Sequence, residues 1–441
     1  MSESTRDRLA RLRREQRPRV APALEPAPRG ALPVWLRARL GARAPAAPPA
    51  GPRTAGPPAD LAPLEGPLGA HAARTTRYAV EHVHGAWSLA EAREQAPGSL
   101  ELVTRGDAPR EPDLDGAVFL DIETTGLSGG AGIHTFLVGL AWFEGDALVV
   151  QQSFLEGPEG ERALLASVAE RLARAHWIVT FFGKSFDRHR LEDKMRIHGV
   201  RAPFGELAHA DLYWPCRRLY ASELPDTRLA TMERALCGLE READLSGAHA
   251  PEAWFDFLAG RAHRLEEVFR HNLDDVLSLV TLTAHLGRAT AETRRDGTPL
   301  GPDPALAGAR AAGLAELCAA RRDHAQALTW IERALARGPV DAARPRLESR
   351  RATAVARLGR HAEALELWAD LANGPPSDLT AEACLNAAQL ALRGQRGVGG
   401  SQRDRARQWL DRAERVANEH TAGVRRASID RRVAGLRARI G

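Results

Sequence analysis

Lysine, cysteine and long apolar runs are scarce in this sequence. The scarcity of each limits the kinds of site or structure that the chain can form. Lysine occurs only twice, so arginine supplies nearly all positive charge along the whole chain, which indicates a coding preference. The cysteines are widely spaced and form no CxxC pair, which argues against a zinc site and against a disulfide framework. They are Cys216, Cys237, Cys318 and Cys384. We therefore expect a reducing, cytoplasmic compartment.

No apolar run approaches the length of a membrane span, and no secretory signal follows Met1, so we expect no membrane association. The 441 residues are enough for two or three domains, and the 44% hydrophobic content allows at least one sizeable core. The formal net charge of +4 is mildly basic. It permits a nucleic-acid partner without requiring one.

Residues 1–72 are rich in Pro, Ala, Gly and Arg and contain few aromatic side chains. Such a segment cannot bury enough apolar surface to offset the conformational entropy that ordering removes. We therefore expect a disordered tail over this range.

The pattern becomes globular after the tail, over residues 73–290. Short apolar runs predict buried strands at 117–120, 135–142, 148–154 and 177–182. Apolar residues at helical spacing predict helices at 161–175, 187–198 and 265–286. Strands in hairpin order followed by strand–helix alternation predict an α/β fold, with a mixed sheet flanked by helices.

Residues 303–441 are rich in Ala, Leu and Arg and contain an internal echo. The sequence DHAQAL at 323–328 recurs as RHAEAL at 360–365, an offset of 361 − 324 = 37 residues. A weaker third copy begins near Ala406. The period is close to the roughly 34 residues of tetratricopeptide repeats, so we favour stacked helical repeats over an irregular helical domain. Stacked helix pairs offer a surface for a protein partner.

Two carboxylates follow the first predicted strand. Side chains at i and i+2 of a strand face the same way, so Asp121 and Glu123 project from one face. Two adjacent anions cost free energy unless a cation lies between them, and Mg²⁺ prefers carboxylate oxygens. Alone the pair also fits a solvent-facing acidic patch. Thr124, Gly126 and Leu127 directly after it sharpen the signal, and we expect them to contact a substrate.

Further candidate groups lie in two other segments. Asp187 follows a buried strand and a Gly-containing turn, at a predicted helix start where a helix cap is the simpler reading. Lys184, in that turn, is a candidate phosphate contact. His271 and Asp275 are four residues apart on a helix and share one face, as a surface ion pair also would.

Together these groups match what two-metal phosphodiester hydrolysis requires. We expect Asp121 to bridge two divalent ions, Mg²⁺ or Mn²⁺, with Glu123, Asp187 and Asp275 completing the ligands. His271, with an ordinary pKa near 6.5, is the candidate acceptor of the proton from the attacking water.

These motifs resemble a known group of nucleases. Residues 118–127 (VFLDIETTGL) resemble the first motif of the DEDD 3′–5′ exonucleases, and residues 75–286 resemble the YprB-type ribonuclease-H-like domain. The supporting segments are 182–187, 209–212, 216–219, 237–241 and 271–279. The resemblance implies a ribonuclease-H-like fold and a 3′–5′ exonuclease acting on DNA or RNA.

Two positions depart from that pattern. Phe182 stands where the family usually has Asn, which removes a polar group near the site. The spacing of His271 and Asp275 is that of the Tyr-containing subclass, with His271 in the Tyr position. Two hypotheses therefore stay open. We favour a metal-dependent exonuclease. The alternative is a catalytically silent nucleic-acid-binding or scaffold protein that recruits partners through its repeats.

Overall fold

The computed structural model describes residues 53–126, 132–241, 249–301, 306–338, 343–393 and 400–440. Its strands, in chain order, are β1 (Ala62–Leu64), β2 (His71–Ala79), β3 (Val83–His84), β4 (Trp87–Ser88), β5 (Ala117–Thr124), β6 (Thr135–Glu144), β7 (Ala147–Phe154), β8 (Trp177–Thr180) and β9 (Ala208–Asp211).

Seven of these strands form one mixed sheet in the order β1-β2-β7-β6-β5-β8-β9. The neighbours from β1 to β5 pair antiparallel, whereas β8 and β9 are parallel to β5. The predicted strands at 117–120, 135–142 and 148–154 are confirmed within β5, β6 and β7. The strand predicted at 177–182 ends two residues early, at Thr180, because the chain bends at Phe181 and Phe182.

Among the described residues up to Arg288, the α-helices are α1 (Ser99–Thr104), α2 (Glu161–Ala173), α3 (Asp187–Ile197), α4 (Tyr213–Tyr220), α5 (Leu229–Met232), α6 (Ala250–Leu258) and α7 (Leu265–Gly287). The three predicted helices correspond to α2, α3 and α7. Alternating residues of β5 point into two different cores: Val118 packs with α2 and α3, whereas Phe119 packs with α7. The predicted α/β fold, a mixed sheet flanked by helices, is confirmed.

The expectation of a disordered tail over residues 1–72 was wrong for residues 53–72. Strand β1 pairs with β2, Thr54 bridges to His263, and the side chains of His71 and Ala72 are buried. Strand β1 is ordered by backbone pairing with β2, although its segment contains too few apolar residues to form a core of its own. Residues 1–52 lie outside the described residues.

The C-terminal part is helical: α8 (Leu306–Ala320), α9 (His324–Ala336), α10 (Arg344–Arg357), α11 (His361–Ala372), α12 (Asp378–Ala391), α13 (Gly400–His420) and α14 (Gly423–Arg437). Each of these helices packs on the next one along the chain, and α8 also packs on α4. The echoed sequences begin α9 and α11, and both helices bury a tryptophan, Trp330 and Trp368. Membership of the tetratricopeptide class stays a prediction.

None of the helices that the structure describes combines the length and the apolar character needed to cross a membrane.

Candidate active site

The first two acidic side chains lie at the end of the central strand β5. Asp121 is paired across the sheet with Gly139 of β6, and Glu123 with Leu137. The register shifts between Glu123 and Thr124, and pairing continues with Thr124 opposite Thr135. Glu123 is buried. A bulge of this kind re-aims side chains. It lies directly after the acidic pair, at the carboxyl end of β5, an inner strand of the sheet that packs against α7.

Asp121 is held by a chain of amide side chains. Asn272 of α7 donates from Nδ2 to Asp121 Oδ2 at 2.8 Å, and Gln152 of β7 donates to Asn272 Oδ1 at 3.0 Å. Gln152 also donates to the Phe269 carbonyl oxygen at 2.7 Å. Gly139 leaves room for this arrangement, because a Cβ there would lie 2.9 Å from both Cγ and Nδ2 of Asn272. Gly139 of β6 therefore leaves the space in which the Asn272 amide can hold Asp121 in one orientation.

Asp187 is buried at the first turn of α3, after a tight turn that another carboxylate holds. Asp211, at the end of β9, accepts backbone N–H bonds from Phe182 at 2.7 Å, Lys184 at 3.1 Å and Tyr213 at 3.2 Å. Phe182 has φ of 65°, which is costly for a side chain with a Cβ. The bonds to Asp211 stabilise this strained turn and so position Asp187.

His271 and Asp275 face the acidic pair from α7. The His271 Nε2 atom lies 3.9 Å from Glu123 Oε1 and 3.7 Å from Asp275 Oδ2. The two residues are one helical turn apart, as predicted. The predicted catalytic residues Asp121, Glu123, Asp187, His271 and Asp275 thus come together from three chain segments that are distant in sequence.

Arg241 lies within the same cluster, with 8% of its side chain exposed. Its guanidinium is bonded to Asp275 Oδ1, donates to Glu233 Oε1 at 2.6 Å and to Glu233 Oε2 at 3.0 Å, and lies 3.1 Å from His271 Nδ1. Glu233 is fully buried at a π-helical turn that follows α5. The site therefore contains its own cation.

Burial and neighbouring carboxylates raise the pKa of two of these acids, Asp121 and Asp187. Burial, followed by the charges of Asp275, Asp187 and Glu123, raises the pKa of Asp121 well above its ordinary value. Burial also raises the pKa of Asp187 to about 8, and the charges of Asp211, Glu123 and Asp275 add to this effect. A cation between these carboxylates would remove the mutual repulsion, so the electrostatics of the site favour cation binding.

Four carboxylates are the donor set that Mg²⁺ and Mn²⁺ take, so the residue types fit a divalent ion. Within the part of the chain that the structure describes, however, no group of three or more His, Cys, Asp or Glu side chains is arranged to hold a metal ion. Two of the four carboxylates are engaged by protein donors, Asp121 by Asn272 and Asp275 by Arg241. The residue types therefore fit a metal ion, whereas two of the carboxylates are already bonded to the Asn272 amide and the Arg241 guanidinium.

The four residues predicted to contact a substrate lie in different surroundings. Thr124 is buried, and its hydroxyl donates to the Gly126 carbonyl oxygen at 2.9 Å. Leu127 lies outside the described residues. Lys184 is 2.8 Å from Asp107, a partly exposed ion pair that a phosphate would have to replace. Contacts of these four residues with a substrate stay predictions.

Sequence reasoning missed Arg241, Asn272, Gln152 and Asp211. Asn272 carried a signal, because it is a polar residue within the apolar stripe of α7. Arg241 lies in segment 237–241, which supports the resemblance, but 34 residues separate it from Asp275 and no local pattern links the two. Asp211 lay in a segment quoted for the resemblance, without an assigned role.

Two comparisons with known proteins give matches. Residues 118–287 match the family described as the RNase H superfamily. The chain is also 33% identical over 223 residues to the uncharacterized protein YprB of Bacillus subtilis (strain 168). This match covers 49% of the chain and 52% of that protein. The chain thus spans about half the length of the curated relative it matches. Residues 118–287 are therefore similar to domains of the RNase H superfamily.

Proposed function

We propose that this protein is a metal-dependent nuclease that hydrolyses phosphodiester bonds of DNA or RNA, acting as a 3′–5′ exonuclease. One observation carries the proposal: carboxylates from β5, α3 and α7 converge around Asp121 inside an RNase-H-like domain. Burial, and then the charges of Asp275, Asp187 and Glu123, raise the pKa of Asp121, and a divalent ion between these carboxylates would relieve their repulsion.

We assign Asp121, Glu123, Asp187 and Asp275 as the ligands of two divalent ions, Mg²⁺ or Mn²⁺. When bound, such ions activate a water and stabilise the leaving oxygen. The chain's own residues supply the rest. The Asn272 amide holds Asp121 in one orientation, and the Asp211 carboxylate holds the turn before Asp187.

His271 is the proposed proton acceptor, because its ring lies within 4 Å of both Glu123 and Asp275. Thr124, Gly126, Leu127 and Lys184 are proposed to contact the substrate, the first three through the turn after β5 and Lys184 through a phosphate. For Lys184, this requires exchange of its contact with Asp107.

The remaining parts of the chain complete the proposal. We assign residues 73–290, together with the strand β1 that precedes them, to the nuclease domain and residues 303–441 to tetratricopeptide-like repeats. The repeats are proposed to recruit a protein partner. The four cysteines are free and buried, and we propose a cytoplasmic location.

Cleavage of 5′-labelled single-stranded DNA and RNA tests the activity and its polarity. With Mn²⁺ or Mg²⁺ we expect a ladder that shortens from the 3′ end, and no products with a chelator. Oligonucleotides blocked by a 3′-phosphate provide the matched control, since an exonuclease of this polarity should slow on them. Internal cuts of the blocked substrate at an unchanged rate would contradict the 3′–5′ assignment. No cleavage of any substrate, with no Mn²⁺ uptake by calorimetry, would favour the silent scaffold.

A further inference from the structure

The strongest unexplained feature of the site is the buried guanidinium of Arg241. Arg241 follows the π-helical turn Glu233–Cys237, and the bonds given above join its guanidinium to side chains of the acidic cluster. It lies against Asp275 and Glu233 on one side and His271 on the other. The negative charges of Asp275 and Glu233 outweigh the effect of burial and raise the pKa of Arg241, so the group is always positively charged.

A divalent ion that binds Oδ1 of Asp275 competes with the Arg241 guanidinium for that oxygen atom. Both are cations, so they also repel one another across the few ångströms of a partly dehydrated site. The carboxylate Oδ1 of Asp275 is already bonded to Arg241, and its Oδ2 lies 3.7 Å from His271 Nε2. An ion can therefore take both oxygens of Asp275 only if the guanidinium withdraws, and on Oδ2 alone it binds against the repulsion of the guanidinium.

The same contact controls His271. A guanidinium only donates hydrogen bonds, so the Nδ1 atom of His271, 3.1 Å from Arg241 Nη1, must be the acceptor. Neutral His271 then carries its proton on Nε2, the atom that faces Glu123 and Asp275. A ring in that tautomer cannot take a proton at Nε2. Withdrawal of Arg241 frees Nδ1 to carry the proton and leaves Nε2 as a base.

We propose that Arg241 is an internal cation that holds the Asp275 side of the site and competes with the second divalent ion. The inference rests on the proposed function, because it assumes that the four acids bind metal. It adds a regulatory step: loading of the ion at Asp275 displaces Arg241, and the displacement switches His271 to the tautomer that accepts a proton.

Calorimetric titration of the full-length protein with Mn²⁺ tests the competition. The variant Arg241→Gln removes the charge and the fork of donors, and we expect it to bind Mn²⁺ at least tenfold more tightly than wild type or with one additional ion. Arg241→Lys keeps the charge and should stay within threefold of wild type. Arg196→Gln is the matched control, because Arg196 is exposed in the last turn of α3 and pairs with Asp193.

The outcomes separate this inference from the proposed function. Mn²⁺ binding by Arg241→Gln that is equal to or weaker than wild type would overturn the inference while leaving the metal site intact. No Mn²⁺ uptake by any of the proteins would overturn the metal site, and the inference with it.

A measurement on the wild-type protein covers the case in which Arg241→Gln does not fold. Phenylglyoxal modifies accessible arginines, and peptide mass spectrometry reads the rate at each one. We expect Mn²⁺ to accelerate modification of Arg241 at least threefold, with the exposed Arg196 unchanged. A constant rate at Arg241 under conditions where Mn²⁺ is bound would overturn the inference.

Discussion

Replacement of Gly139 by alanine removes no ligand and no charge, yet it should disturb the site strongly. The added Cβ would lie 2.9 Å from Cγ and Nδ2 of Asn272 and closer still to Oδ1. Real Cβ atoms do not approach other atoms this closely, so the Asn272 amide has to move. Asn272 is fully buried and is held by both Gln152 and Asp121, so movement breaks hydrogen bonds.

The magnitude follows from two contributions. Overpacking of a tight interior by one methyl group costs about 1–3 kcal/mol. A lost hydrogen bond to a charged group, here from Asn272 to Asp121, costs about 1.5–3 kcal/mol. The movement of Asn272 that relieves the clash also breaks its hydrogen bond to Asp121, so the two free-energy costs are not fully additive. We expect the free energy of unfolding to fall by about 3 kcal/mol.

Urea unfolding followed by circular dichroism measures this change. The matched control is Gly205→Ala, because Gly205 is exposed and a Cβ there meets nothing within 4 Å. The control should stay within about 0.5 kcal/mol of wild type. If the four acids bind metal, Gly139→Ala should also weaken Mn²⁺ binding about 10–100-fold through the misplaced Asp121. A Gly139→Ala protein as stable as the control would refute the reasoning.

Two further predictions concern buried charge. Burial raises the pKa of Glu161, but hydrogen bonds, one from the buried Lys194 at 3.0 Å, outweigh it and lower that pKa below its ordinary value. Glu161→Gln should therefore lower the free energy of unfolding in urea by about 3 kcal/mol at pH 7, and by less as the pH falls below 4.5. The exposed Glu170→Gln should lower it by under about 0.5 kcal/mol. Equal losses in the two variants would contradict this. Burial and nearby arginine charges lower the pKa of His285 to about 3. The unfolded chain takes up this proton near pH 6.5, so stability should fall by about 1.4 kcal/mol per pH unit below 6 on this account alone. His285→Gln should flatten that slope and the exposed His189→Gln should not.

The central strand and the acidic groups on it could be predicted because they depend on local patterns. Four consecutive apolar residues indicate a buried strand, and the alternation of strand side chains puts Asp121 and Glu123 on one face. His271 and Asp275 share a helical face for an equally local reason.

The residues that close the site could not be predicted in this way. The contact of Arg241 with Asp275 depends on a π-helical turn and on a path of 34 residues between them, which no periodicity describes. The sequence predicts strand through Phe182, because its apolar composition continues that of β8. Two backbone N–H bonds to Asp211, from Phe182 and Lys184, stabilise the left-handed conformation of Phe182 instead, although Asp211 lies 29 positions later.

The ordering of residues 53–72 shows the same limitation. Composition alone describes what a segment can bury by itself, and β1 is ordered by pairing with β2 rather than by its own side chains. Local patterns thus predict the acidic residues, whereas long-range contacts order residues 53–72 and bring Arg241 to Asp275.

The comparison of wild type with Asp121→Asn tests the central claim most directly. Asparagine keeps the size of Asp121 and an oxygen that can accept the Asn272 hydrogen bond, so the fold should persist. The control is Asp193→Asn, which removes an exposed partner of Arg196 on α3. On end-labelled single-stranded DNA and RNA with Mn²⁺, we expect cleavage by wild type and by the control, and at least a hundredfold loss in Asp121→Asn. Cleavage by Asp121→Asn at the wild-type rate would contradict the assignment of this acidic cluster as the active site.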